Sequence, residues 1–224
     1  NMLLQTNLNS LYSIELDKSL INGLKIKFSN DPRFSIAQGD ILNLSMLPPD
    51  GYPLNKVVAN IPYNITGPIL EKLLGNLGVY PEFFFKRLVI LMQKEVADRI
   101  ITSHGNSNFS ALSVRIQLLA KCKEVCSVQP SSFSPPPKVF SKVVVFEPLQ
   151  RIERLSLDHE LRIDRLLKVA FNMRRKKLKN TLLKLSTQNN LQIIASDLGF
   201  SLDDRPQDIS IKQWVCLAKE LQFK

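Results

Sequence analysis

The 224-residue sequence predicts a doubly wound α/β domain over residues 1–149, followed by a small all-helical domain over residues 150–224. Two observations predict it. Strand-like and helix-like segments alternate through the first two thirds of the chain, the pattern of βαβ units around a mostly parallel sheet. After Glu147-Pro-Leu149 only helical periodicity remains.

In chain order, 11–16 reads as a strand and 18–28 as a helix of mixed apolar and basic positions. A short strand at 34–38 and another at 57–60 follow, then a helix over 68–77, just after a Thr66-Gly67 start signal. The apolar run 87–93 is a buried strand leading straight into a helix at 94–101. A helix at 109–120 and two strands, 123–128 and 142–147, complete the first domain, the strands flanking a bend at Pro135-Pro-Pro137. Helices are expected at 161–171, 176–185, 191–198 and 211–221.

Composition narrows the class. Forty-four per cent apolar residues is ordinary for a chain with a real core. No apolar run is long enough to span a bilayer, and the opening residues lack a basic region followed by an apolar core. A soluble, unexported, cytoplasmic protein is expected. Cys122, Cys126 and Cys216 form no metal-ligand pattern and neither His104 nor His159 lies near a cysteine pair, so no metal is expected. Lys and Arg exceed Asp and Glu by ten. Residues 151–224 hold 15 basic against 9 acidic residues, and the longer stretch 1–150 holds 15 against 11. A basic surface of this kind binds phosphate through counterion release.

The chemistry concentrates at strand ends. In open α/β sheets the ligand lies at the carboxyl ends of the strands. Glu15 closes the first visible strand, where an acid commonly grips ribose hydroxyls; Asp40 follows the second and suits an adenine amine. The third ends in Asn60-Ile61-Pro62-Tyr63. That segment sets an amide oxygen, a backbone carbonyl and a flat ring around one small pocket, matched to an exocyclic amine with two hydrogens and a stackable face.

With these segments in view, the chain resembles the ribosomal RNA adenine N6,N6-dimethyltransferase family. The resemblance rests on Tyr12-Ser-Ile-Glu-Leu-Asp17, Gln38-Gly-Asp-Ile41, Asn60-Ile-Pro-Tyr-Asn-Ile-Thr66, Leu91-Met-Gln-Lys-Glu-Val96, Phe133-Ser-Pro-Pro-Pro-Lys-Val139 and Phe171-Asn-Met-Arg-Arg-Lys176. Arg205-Pro-Gln-Asp-Ile-Ser210 is similar to the small-subunit branch. The resemblance implies a Rossmann-like methyltransferase sheet with S-adenosylmethionine as cofactor, bound by Glu15, Asp40 and Asn60. It implies that Asn60 and the Ile61 carbonyl accept the N6 hydrogens, that Pro62 shapes the turn, and that Tyr63 and Phe133 flank the extruded base. The basic cluster Arg174, Arg175, Lys176, Lys177 and Lys179, expected at the start of a helix, would dock ribosomal RNA through phosphates. The partners implied are small-subunit ribosomal RNA and the assembling small subunit, with a monomer as the expected state.

Two departures accompany the resemblance. Family members usually carry an early strand and Gly-rich turn around the methionine part of the cofactor. Here the first glycine is Gly23 and the eight glycines never cluster, so the sheet is expected to be N-terminally truncated, with unpaired strand edges. Phe140 stands where an acid is usual. Two alternatives stay open at this point: a large-subunit dimethyltransferase of the antibiotic-resistance type, and a non-catalytic ribosome-assembly factor.

Overall fold

The computed structural model describes residues 2–44 and 54–223. β1 (Leu11–Glu15), α1 (Lys18–Lys27) and β2 (Phe34–Gln38) form a βαβ unit whose strands pair in parallel, Glu15 opposite Gln38. α1 starts where it does because Asp17 caps it, its carboxylate accepting the Ser19 N–H at 2.8 Å.

β3 (Lys56–Asn60), α2 (Thr66–Leu74), β4 (Arg87–Gln93), α3 (Lys94–Ile101), α4 (Ala111–Leu119), β5 (Ala120–Val128) and β6 (Ser141–Pro148) follow. Their four strands form a second sheet in the order β3-β4-β6-β5. β3 and β4 are parallel, whereas β6 runs antiparallel to both β4 and β5. The expectation of a mostly parallel sheet is therefore half right. A parallel return from β5 needs a crossover, normally a helix. The proline-rich 129–140 link builds none of useful length, so β6 turns back and inserts between β4 and β5. Among the described residues, no strand pairs with the second edge of β1 or of β3.

The core follows the strand period of two. Leu88, Ile90 and Met92 on β4, with Val144 and Phe146 on β6, are fully buried, against Ala97 and Ile100 of α3 and Val114 of α4. The β1–β2 unit joins this core through Ile14, Ile41 and Leu42. Lys72 of α2 also reaches across, its Nζ donating to the carbonyls of Leu42 (3.2 Å) and Leu44.

α5 (Leu157–Asn172), α6 (Leu178–Leu182), α7 (Gln188–Asp197) and α8 (Ile211–Glu220) form the helical part. α5 begins earlier than its apolar spacing suggests because Ser156 caps it and Asp158 and Glu160 suit the positive end of the helix. The first turn of α5 is fastened to the turn after α2 by a buried ion pair. Arg154 Nε donates to Glu160 Oε1 at 2.9 Å, and its Nη2 donates to the Asn76 carbonyl at 2.8 Å. Glu160 Oε2 accepts from the Gly78 N–H at 2.8 Å. Gly78 has φ +82°, and a Cβ there would collide with Leu161, so glycine permits both the turn and the approach of α5. One apolar cluster runs from Ile61 of the sheet region through Leu166 of α5 to Trp214 of α8. Among the described residues, no helix is long and apolar enough to cross a membrane.

Candidate active site

The turn after β3 is held at every residue. Buried Ile61 donates its N–H to the Leu91 carbonyl of β4 at 3.3 Å, which carries the strand one residue beyond Asn60. The Pro62 carbonyl accepts from Ile65 N at 3.2 Å, and Thr66 Oγ1 donates to the Tyr63 carbonyl at 3.2 Å. The Tyr63 hydroxyl shares a 2.6 Å hydrogen bond with Ser141 Oγ at the start of β6. Ser141 stands opposite Gln93, the last residue of β4, and Val128, the last residue of β5. The carboxyl ends of β3, β4 and β5 thus share one edge of the sheet with the Asn60–Tyr63 turn. Phe133, half-buried, lies on the β5–β6 link that leaves from this same edge.

Glu15 and Asp40 lie at the carboxyl end of the smaller sheet. The Gly39 N–H donates to the Glu15 carbonyl at 2.9 Å, joining the two strand ends. Glu15 Oε1 accepts from the backbone N–H groups of Leu16 (2.8 Å) and Asp17 (3.0 Å). Asp40 Oδ1 accepts from Leu42 N at 2.9 Å, and its Oδ2 from Asn43 Nδ2 at 3.2 Å. Both carboxylates are aimed by their own turns. Each carboxylate oxygen has two lone-pair sites, so capacity remains to accept hydroxyl or amine hydrogens from a ligand.

The basic cluster runs from the turn after α5 into the start of α6: Arg174, Arg175 and Lys176 lie on the turn, Lys177 is the N-cap of α6 and Lys179 is in its first turn. The chain bends there, Lys176 N bonding the Met173 carbonyl at 2.7 Å, and α6 begins only at Leu178. Its five members are not equivalent. Arg174 Nη2 donates to the Phe109 carbonyl at 2.9 Å. Lys177 and Lys179 both pair with Asp203, at 3.1 and 2.7 Å. Hydrogen bonds from Lys179 and then Lys177 hold that carboxyl below the usual range. Arg175 and Lys176 are exposed, with no acidic partner among the described residues.

The family model for ribosomal RNA adenine dimethylase matches residues 3–222. The chain belongs to that family. Among its relatives, "Ribosomal RNA small subunit methyltransferase A" of Prochlorococcus marinus (strain MIT 9211) is 54% identical over 98% of this chain and 78% of its own length. The protein of the same name from Parasynechococcus marenigrum (strain WH8102) is 49% identical over 98% of this chain and 72% of its own. A dimethyladenosine transferase from Plasmodium falciparum superposes with a TM-score of 0.72 at 22% identity, covering 96% of this chain and 84% of that one. The 23S rRNA methyltransferase ErmE does so at 0.74 and 21%, covering 95% and 82%. These two likenesses establish a Rossmann-like methyltransferase fold.

Nothing in the sequence pointed to the ion-pair group that flanks Ser141. Lys142 is largely buried, its Nζ 2.8 Å from Asp98 of α3 and 2.6 Å from Glu124 of β5. Partial burial opposes ionisation of Asp98, but hydrogen bonds from Lys142 and Lys94 outweigh it and keep its carboxyl below the usual range. The bond from Lys142 lowers Glu124 likewise, and the same two acids raise Lys142. Lys94 N also donates to the Phe140 carbonyl at 2.9 Å, so the residues on both sides of Ser141 are tied down. A lone Ser before an apolar run carries no sequence signal for a partner 78 positions away.

Proposed function

We propose that this chain transfers methyl groups from S-adenosylmethionine to N6 of two adjacent adenosines near the 3′ end of small-subunit ribosomal RNA. The observation that carries the reading is the Asn60–Tyr63 turn, braced by β4, Thr66 and Ser141 at the carboxyl edge of the sheet. The relatives at 49–54% identity, named for the small subunit, support the choice of substrate over the large-subunit alternative.

Glu15 and Asp40 would hold the cofactor, Glu15 through ribose hydroxyls and Asp40 through the adenine amine, with Asn60 beside them. When bound, the cofactor supplies an electrophilic methyl group. Adenine N6 is a weak nucleophile because its lone pair is delocalised into the ring. The Asn60 side-chain oxygen and the Ile61 carbonyl accept its two hydrogens, which draws the lone pair out of conjugation and aims it. Pro62, next after the Ile61 carbonyl, fixes the chain between these acceptors and Tyr63. Tyr63 stacks on one face of the extruded base and Phe133 flanks the other, offsetting the lost base stacking. The methyl would part from sulfur to leave the neutral thioether, and N6, acidified once it carries the methyl, would lose its proton to solvent. No strong general base is therefore needed; alignment and preorganised polar groups lower the barrier. Arg175, Lys176, Lys177 and Lys179, all exposed, with half-buried Arg174, dock the RNA backbone. The substrate is the assembling small subunit, met by a monomer in the cytoplasm.

Labelled methyl transfer into unmethylated small subunits, beside large-subunit RNA, tests this. Label in two adjacent small-subunit adenosines is expected, and Asn60→Ala lowers turnover by about 10²–10³, the scale of one lost transition-state hydrogen bond. Label confined to large-subunit RNA, or full activity in Asn60→Ala, overturns it.

A further inference from the structure

We infer that Ser141 is a positioning residue for the base site, anchoring the far end of the Tyr63 ring through its hydroxyl. The inference rests on the stacking role proposed for Tyr63. A tyrosine ring swings with its first side-chain torsion, and a stacking surface is useful only if that swing is arrested before the base arrives; the hydroxyl, at the far end of the ring axis, is where a bond arrests it best. The backbone end of Tyr63 is fixed by Thr66, whose buried hydroxyl donates to its carbonyl. The far end is fixed by Ser141 at 2.6 Å.

Ser141 is suited to act as an anchor rather than as a second mobile partner. Its side chain is fully buried, and its backbone pairs with β4 on one side and β5 on the other. Phe140 before it is tied to Lys94 N, and Lys142 after it is tied to Asp98 and Glu124. The ring is therefore referenced to three strands and to α3. This also accounts for a tyrosine at position 63, since phenylalanine stacks equally well but offers nothing to hold.

The test uses the full chain and a small-subunit RNA hairpin carrying 2-aminopurine at the target adenosine, whose fluorescence is quenched on stacking. Methyl transfer is measured in parallel on unmethylated small subunits. Ser141→Ala should weaken the stacking quench and lower kcat about five- to tenfold, as one hydrogen bond would, with KM for RNA changed less than about twofold. Ser141→Thr, which keeps the hydroxyl, should recover most of both. Tyr63→Phe removes the same bond from the other end and should match Ser141→Ala. The double variant Ser141→Ala/Tyr63→Phe should be no worse than either single change. Losses that multiply in the double variant overturn the inference, because Ser141 would then act by another route. So does a Tyr63→Phe protein with unchanged quench and kcat, a result that stands even if Ser141→Ala does not fold. Tyr63→Ala with full quenching and transfer would instead sink the stacking role itself.

Discussion

The two sheets of this molecule are built to different standards. In the four-stranded sheet, β4 alternates fully buried Leu88, Ile90 and Met92 with half-buried neighbours. In the two-stranded sheet, every residue of β1 is only half-buried, and its helix α1 contributes a single buried side chain, Ile21. The first carries the turn proposed to hold the RNA base, the second the two carboxylates proposed to hold the cofactor. A two-stranded unit covered by one helix depends on its neighbours for stability. The half of the proposed site assigned to the RNA base thus has its own core, and the half assigned to the cofactor leans on Lys72 and a few apolar contacts.

The strongest way to break this comparison is to attack the buried Arg154–Glu160 pair behind the larger sheet. Arg154→Met leaves the Glu160 carboxylate buried and unpaired, and unfolding free energy should fall by about 3–5 kcal/mol in urea titrations. A loss below about 1 kcal/mol would mean that the helical part is not fastened there. Next, Ile90→Ala should cost about 2–5 kcal/mol, whereas Ile14→Ala, half-buried on β1, should cost less than half as much. Native-state hydrogen exchange sharpens the same contrast. Amides of β1 and β2 should open at lower free energy than those of β4 and β6, and equal protection would refute the contrast.

A smaller effect is expected with pH. Asp98 and Glu124 have folded values below their ordinary 3.8 and 4.5. Their contribution is therefore complete above those values and disappears as pH falls through the lower, folded ones. Lys142 is raised above 10.5, so its share is complete below that value and is lost as pH rises through the folded one. Urea midpoints of wild type and Lys142→Met should converge as pH drops below about 4; a constant gap would remove the ion pairs as the cause. The smallest change should come from Arg175→Gln with Lys176→Gln. RNA affinity should weaken evenly across sequences, and its log–log salt slope should shrink by about 1–2, roughly one for each phosphate no longer neutralised. An unchanged slope would take these two side chains out of the RNA interface.

Legibility in the sequence varied with the range of the cause. The strands Phe34–Gln38 and Arg87–Gln93 and the helix Lys94–Ile101 fall where the periodicity put them, because burial on one face writes its period directly into the chain. The start of α5 was missed by four residues, since its cap at Ser156 precedes the apolar spacing. The grouping of Arg174, Arg175, Lys176, Lys177 and Lys179 was visible, but not that three of them already have partners, because the Phe109 carbonyl and Asp203 are far away in sequence.

What the sequence determined by itself is local and chemical: the strand ends, the Asn60-Ile-Pro-Tyr63 turn, the basic excess and the family. Each depends on residue type and short spacing, which the unfolded chain already contains. What only the tertiary structure decided is the reversal of β6 between β4 and β5, the burial of Arg154 against Glu160, and the bond from Tyr63 to Ser141. Except for Arg154 and Glu160, these join parts of the chain tens of residues apart. Even that pair is buried only because distant Gly78, Asn76 and Val79 close around it. Such contacts are selected by the packing of a whole core, and no short window of sequence records them.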